Sequence, residues 1–298
     1  MNSKILLSLL CLLFLFSCKK EHQEEKEVPR YPVRFDLTGF TQTQQPIDVA
    51  TIKTNSLTTN TGTDTIPVNQ LFYFVYGRVV NGAQPPLVAQ KIINRTDAGF
   101  GVFTDDLPAG NYDIYFVGSS VTLKGLDLNG GGLTYYPQNS GWGDTFYKKI
   151  PITVTSTGIN QTVQMERRSA QIVVNILDAI PANVTKIEVK YDDYLAFYTN
   201  NTGGLKNYYG QAIVSKPVTT TDIGVTNFKV YANTIFTNVP AQVSIAYYTT
   251  GTSPSDTKTV TVTSQPNKRT VISGKLFSGN NTFNITFDDW NTPVTVGF

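Results

Sequence analysis

The sequence predicts an all-β protein built as two tandem β-sandwiches. Three observations carry that prediction: short segments that alternate apolar and polar residues, a set of sequence blocks that recurs in order, and a composition poor in charge. Only 15% of the 298 residues are charged, whereas Tyr (16), Phe (17) and Gly (23) are plentiful. Aromatic and β-branched side chains fit a pleated, half-buried surface, so this balance favours strands. The length suffices for one large or two modest domains with real cores.

The first segment is not a strand. Ile5 to Phe16 is apolar except for Ser8 and follows Lys4. Such a run is too short to span a bilayer but suits the hydrophobic region of a secretory signal. It ends in Leu15-Phe16-Ser17-Cys18. Leucine three residues before a cysteine, with a small residue just before it, resembles the bacterial lipobox, where the cysteine sulfur is lipidated and becomes the new N-terminus. Residues 1–17 are therefore expected to be a signal peptide. Residues 18–31 are read as a lipidated cysteine and a tether, because Lys19 to Glu27 is too charged to bury. Cys11 leaves with the leader and Cys18, once lipidated, cannot pair, so no disulfide is expected. The expected location is the outer membrane, lipid-anchored, at the cell surface. Of 24 Lys and Arg only Lys4 is lost, leaving 23 basic against 22 acidic residues. A net charge near zero, with no basic run interleaved with aromatics, argues against nucleic acid as a partner.

From Val33 onward the period is two. Val33, Phe35 and Leu37 alternate with polar residues, as do Tyr112, Ile114 and Phe116, then Ile187, Val189 and Tyr191. Val243, Ile245 and Tyr247 follow, then Val260 and Val262, then Phe283, Ile285 and Phe287. Each reads as a half-buried strand. Leu71 to Val80 is apolar enough for a strand buried on both faces, residues 41–65 read as a long polar loop, and Pro86 to Arg95 as a short helix.

The repeat divides the chain. Ile152-Thr-Val-Thr-Ser156 and Thr162-Val163 recur as Val260-Thr-Val-Thr-Ser264 and Thr270-Val271, at a constant offset. Leu107-Pro108-Ala109 before Ile114 matches Val239-Pro240-Ala241 before Ile245, and Ile66-Pro67 before the next strand matches Ile180-Pro181. Val33, Phe35 and Leu37 match Ile172, Val174 and Ile176. Four blocks in one order argue for two copies of one β-domain, residues 32–166 and 167–298. The first copy has about two dozen extra residues, placed within Ser119 to Thr145. That insertion holds Gly130-Gly131-Gly132, Tyr135, Tyr136 and Trp142, and a long loop rich in glycine and aromatics is a candidate ligand loop.

Catalytic chemistry has little to stand on. The only histidine, His22, lies in the tether, which excludes triads and Cys/His zinc sites. Asp105-Asp106, Asp192-Asp193 and Asp288-Asp289 are adjacent pairs near turns or strand ends, and strand neighbours point to opposite faces. Asp127-Leu-Asn129-Gly130 lacks the remaining ligands of a calcium loop. No enzyme activity, cofactor or metal is expected.

Taken together, the lipobox, the two β-domains and Arg167-Arg168-Ser-Ala-Gln-Ile-Val-Val174 resemble the fimbrillin superfamily of Bacteroidales-type pili. There, an arginine followed by a small residue and an apolar strand commonly opens the second domain. Leu107-Pro-Ala-Gly-Asn-Tyr112 leading into Asp113-Ile-Tyr-Phe-Val117, and a final strand ending in tryptophan at Trp290, look like the same family. The resemblance implies transthyretin-like (or Ig-like) sandwiches, a role as fimbrial subunit or anchor in adhesion, and other fimbrial subunits as partners joined by strand donation. It carries over no catalytic residue. Shaft subunits of that family lose their first strand after an arginine cut, whereas anchors keep it. Here Arg30 and Arg34 lie before or at the start of the first strand and no arginine lies between Phe35 and Gly77, which implies a retained strand and a base anchor or other non-polymerising component. The candidate donor segment is the C-terminal one, with Phe283, Ile285, Phe287, Trp290, Val294 and Val296. A different class of reading is a surface glycan-binding lipoprotein, with Tyr135, Tyr136 and Trp142 stacking on sugar rings and a glycan or host protein as partner.

Overall fold

The computed structural model describes residues 28–40, 68–78, 86–124, 133–137, 142–194, 197–199, 209–235, 238–278 and 283–289. Two units are distinguished, Met1–Arg30 and Tyr31–Phe298. Of the first only residues 28–30 are described, so Cys18, the expected tether up to residue 27 and the polar stretch 41–65 lie outside the described residues, while Arg30 and Tyr31, expected in the tether, already belong to the strand Arg30–Thr38. The described residues hold strands and no helix.

The second unit contains one strand arrangement twice. The first copy comprises β1 (Arg30–Thr38), β2 (Gln70–Gly77), β3 (Leu87–Asn94), β4 (Val102–Pro108), β5 (Gly110–Ser119), β6 (Leu123–Lys124), β7 (Leu133–Pro137), β8 (Thr145–Val154), β9 (Ile159–Gln164) and β10 (Glu166–Arg167). The second comprises β11 (Ala170–Ile176), β12 (Lys186–Tyr194), β13 (Phe197–Thr199), β14 (Tyr209–Pro217), β15 (Phe228–Thr234), β16 (Pro240–Tyr248), β17 (Asp256–Thr263), β18 (Lys268–Gly274) and β19 (Asn284–Asp289).

In the first sandwich a sheet β4-β1-β9 faces a sheet β10-β8-β5-β2-β3; in the second, β15-β11-β18-β19 faces β14-β12-β16-β17. The first strand of each copy runs parallel to the next-to-last strand of that copy, β1 to β9 and β11 to β18. Alternation explains the packing. Val33, Phe35 and Leu37 of β1 are buried with Tyr73, Phe103, Ile114 and Phe116 in one core. Ile172, Val174 and Ile176 of β11 are buried with Ile187, Val189, Val243 and Ile245 in another. Chain passage from the first set of sheets to the second falls between Arg167 and Ala170, the end of β10 and the start of β11.

Two expectations are corrected. Residues 86–95 are not helical: Leu87–Asn94 is β3, the end strand of its sheet. The repeat also loses its constant offset at β18. Pairing of Tyr112 with Ile152 and of Val243 with Val260 agrees with the constant offset. However, Val163 is buried at 2% exposure, whereas the buried positions of β18 are Thr270 and Ile272, so Val163 has no counterpart in the outward-facing Val271. A shift by an odd number of residues turns every strand side chain to the opposite face, which excludes the ungapped match at that strand.

Candidate functional site

No titratable cluster of catalytic geometry occurs among the described residues, and no group of three metal-ligating side chains occurs there. What the fold presents instead are surfaces and strand edges. Three of them involve the residues singled out by sequence.

The first is the insertion. Its ends are tied at a narrow neck: Ser120 N–H donates to the Asp144 carbonyl at 2.9 Å, and Asp144 N–H to Ser120 Oγ at 2.7 Å. Gly143 is required there, because a Cβ at that position would lie 2.2 Å from Ser120 Oγ. Val121, Leu123 and Trp142 then fold back over the outer face of the five-stranded sheet. That face is aromatic, with Phe72, Phe74, Tyr76, Tyr115 and Tyr147. Ile235 and Val239, from the β15–β16 connection of the second sandwich, and Ala241 at the start of β16 complete the cover. This is why β2 is buried on both faces from Leu71 to Tyr76, as the unbroken apolar run predicts. Trp142 is only 4% exposed, so its ring is not available to stack on a sugar. Tyr135 and Tyr136 lie on β7, which bridges the copies: Tyr135 pairs with Phe197 of β13, and Tyr136 with Lys124 of β6. Gly130-Gly131-Gly132 and the Asp127 segment lie outside the described residues.

Beneath this neck sits a buried ion pair, Arg167 Nη2 to Asp144 Oδ2 at 3.2 Å, with both side chains under 7% exposed. Arg167 also donates to Asn267 Oδ1 at 3.2 Å and stacks its guanidinium 5.1 Å from the Phe146 ring centre. Burial pushes the Asp144 carboxyl up and the Arg167 guanidinium down, each opposed by the charge of the other. Arg167 and Asn267 thereby join β10 of the first sandwich to the turn before β18 of the second. Nothing in the sequence pairs Asp144 with Arg167; only the fold does.

The second surface is the C-terminal strand. After β18 the Asp178 carboxylate accepts three backbone N–H groups, from Leu276 at 2.9 Å, Phe277 at 2.8 Å and Ser278 at 2.9 Å, which fixes the exit of the chain. Phe283 packs over Gly274, where a Cβ would sit 2.3 Å from the ring. β19 then pairs antiparallel with β18, Ile285 opposite Ile272 and Phe287 opposite Thr270. Although Ile272 and Thr270 are buried, Ile285 is 39% and Phe287 49% exposed. The described part of the candidate donor segment thus closes its own sheet while leaving an apolar face open. Trp290, Val294 and Val296 lie outside the described residues.

The third is the first strand. β1 lies between β4 and β9, and Val33 and Phe35 are 1% and 0% exposed. Two of the three acidic pairs have structural partners: Asp105 lies 3.4 Å from Lys91, Asp192 accepts Gln242 N–H at 3.0 Å, and buried Asp193 accepts from the Thr234 hydroxyl at 2.8 Å.

A family model described as a family of unknown function, DUF6562, matches residues 101–294. No curated protein matches the chain. Among solved structures, the chain is similar to a candidate adhesin of Bacteroides thetaiotaomicron VPI-5482, at 12% identity and a TM-score of 0.52, over 88% of this chain and 97% of that one. It is also similar to candidate polysaccharide-binding proteins (DUF1812) of the same organism, at 11% identity and a TM-score of 0.50, over 83% and 92% of the two chains. The C-terminally truncated tip fimbrial protein Mfa3 of Porphyromonas gingivalis aligns over 88% of this chain and 99% of its own, at 13% identity and a TM-score of 0.41. At these identities the likeness establishes a shared fold.

Proposed function

This chain belongs to DUF6562, a family of unknown function, and we propose that it serves as a cell-surface adhesion protein, a fimbrial component held in the outer membrane through lipidated Cys18. Within a fimbrium it is a base anchor or minor subunit that joins other subunits by β-strand complementation. A fold shared with a candidate adhesin supports the adhesion class.

The observation that carries the finer reading is the position of β1. A subunit that accepts a partner's strand must lose one of its own and expose unpaired backbone groups. In this chain β1 is the middle strand of its sheet and contributes Val33, Phe35 and Leu37 to the core. A cut after Arg30 leaves those three residues in place. The groove stays filled, as suits a component that ends a filament rather than one that extends it. The C-terminal segment, with Ile285 and Phe287 exposed, is the side left for a partner.

The test is fractionation of sheared cells, comparing the natural chain with Cys18→Ser. The expected result is retention of the natural chain in the outer membrane together with filament subunits, and release of Cys18→Ser from the membrane with its fold intact. Equal membrane retention of both forms would overturn the anchor, and absence of filament subunits from the purified complex would overturn the fimbrial role.

A further inference from the structure

We infer that β3 is a homotypic docking edge, through which two copies of this chain pair antiparallel across a two-fold axis beside Gln90. The inference does not depend on the fimbrial reading.

β3 ends its sheet; among the described residues only β2 pairs with it. Arg95 N–H donates to the Asn69 carbonyl at 2.8 Å, continuing the register in which Gln70 faces Asn94. Because bonding alternates along an antiparallel ladder, Arg95, Ile93, Lys91 and Ala89 bond towards β2, and Asn94, Ile92 and Gln90 turn their N–H and C=O groups to the open side. The Asp97 carboxylate takes the Asn94 N–H at 2.7 Å. Gln90 and Ile92 remain available.

Two of the four exposed side chains at that edge, Val88 and Ile92, are apolar and no exposed charge guards them. Val88 is 40% and Ile92 51% exposed, on the outer face. Edge strands are normally protected by a charge that resists pairing. The single charge of β3, Lys91, does not serve: its ammonium donates to the Thr104 carbonyl and lies 3.4 Å from Asp105. Three other end strands are guarded by charge or proline, whereas β9 (INQTVQ) is uncharged but its exposed positions are polar. β19 ends on Asp288 and Asp289, β4 carries Asp105 and Asp106, and β14 carries Lys216 and Pro217.

The strand is complementary to itself. With the axis beside Gln90, Ile92 of each copy lies opposite Val88 of the other, Ala89 opposite Lys91, and no like charges face one another. Both exposed apolar residues are covered by the same operation, and hydrogen-bonded pairing falls on Gln90 and Ile92. The register shift between Val75 and Tyr76, which leaves Val88 outside the β2 pairing, lies at the end of this run. Contact along one strand buries less than the roughly 1,200 Å² of a standard interface, so the dimer is weak and concentration-dependent.

Sedimentation velocity on the purified whole chain in detergent, from about 1 to several hundred micromolar, tests this. The expected result is a monomer–dimer equilibrium whose dissociation constant rises at least about tenfold in Ile92→Lys, with an unchanged thermal midpoint, and stays unchanged in Ile213→Lys on β14. A natural chain that remains monomeric throughout overturns the inference. So does a dimer that survives Ile92→Lys, or one that Ile213→Lys abolishes.

Discussion

Truncating Trp142 separates a packing role from a ligand role for the insertion. The ring is 4% exposed and belongs to the cluster of Phe72, Phe74, Tyr76, Tyr115 and Tyr147 that Ile235 and Ala241 close from the second sandwich. Deleting a buried tryptophan costs roughly 3–5 kcal/mol, the transfer of the ring plus the cavity that remains. For a unit of this size each kcal/mol moves the midpoint by about 2–4 °C, so Trp142→Ala should melt roughly 6–20 °C lower. Trp142→Phe fills much of that space and should recover more than half of the loss. Scanning calorimetry reads both values. The difference in fluorescence between the natural chain and Trp142→Phe isolates this tryptophan and should be blue-shifted. A Trp142→Ala midpoint within 1–2 °C of the natural one, together with weaker retention in a polysaccharide affinity gel, would refute the packing argument and restore the glycan reading.

Three further outcomes follow from the geometry. Residues 168–298 should give a β-type far-ultraviolet spectrum in isolation, because the core around Ile172, Ile187 and Ile245 is drawn from that stretch alone; a coil-like spectrum would count against independent domains. Deleting 291–298 should leave thermal unfolding unchanged, because the described pairing of β19 with β18, Asn284 to Asp289 against Ser273 to Lys268, lies wholly upstream of the cut, while attachment to filament subunits is lost; a collapsed fold would make the segment ordinary core. Glu188 sets a pH dependence: burial alone would raise its pKa, but hydrogen bonds from Lys186, Tyr248 and Ser215 outweigh that and hold it low. A lowered folded-state pKa gives stability that is present above the unfolded value of about 4.3 and lost as pH falls through the folded one. The midpoint difference between the natural chain and Glu188→Gln should therefore be largest near neutrality and shrink on acidification; a difference that grows with acid would refute the assignment.

Alternation was most informative where one face of a strand meets a core and the other meets water. β1, β12, β16 and β17 are of this kind, and their inward residues could be read by position. β3 escaped for a physical reason: its inner face carries the polar Lys91 and its outer face the apolar Val88 and Ile92, so period two is blurred and a helical reading competes. The break at β18 escaped because the match there rests on a single dipeptide, Thr162-Val163 against Thr270-Val271, too short to show which of its residues faces the core. Pairings between distant segments, Asp144 with Arg167 or β7 with β13, have no local signature.

The insertion and the aromatic sheet face are one feature rather than two. In the first sandwich Phe74 pairs with Tyr115 and Phe72 with Val117. The second sandwich places Glu188 against Ala246 and Lys186 against Tyr248 at the corresponding points of its sheet. One copy therefore has a charged outer face that water can cover, and the other an aromatic face that water cannot. An uncovered face of that kind would be an aggregation hazard. The extra residues, through Val121, Leu123 and Trp142, cover part of it, and Ile235, Val239 and Ala241 cover the rest. The two copies diverge where they meet, and the divergence is mutual: removing the insertion without restoring charge at Phe72, Phe74 and Tyr76 should yield an insoluble chain, whereas removing both together leaves a sheet like that of the second sandwich.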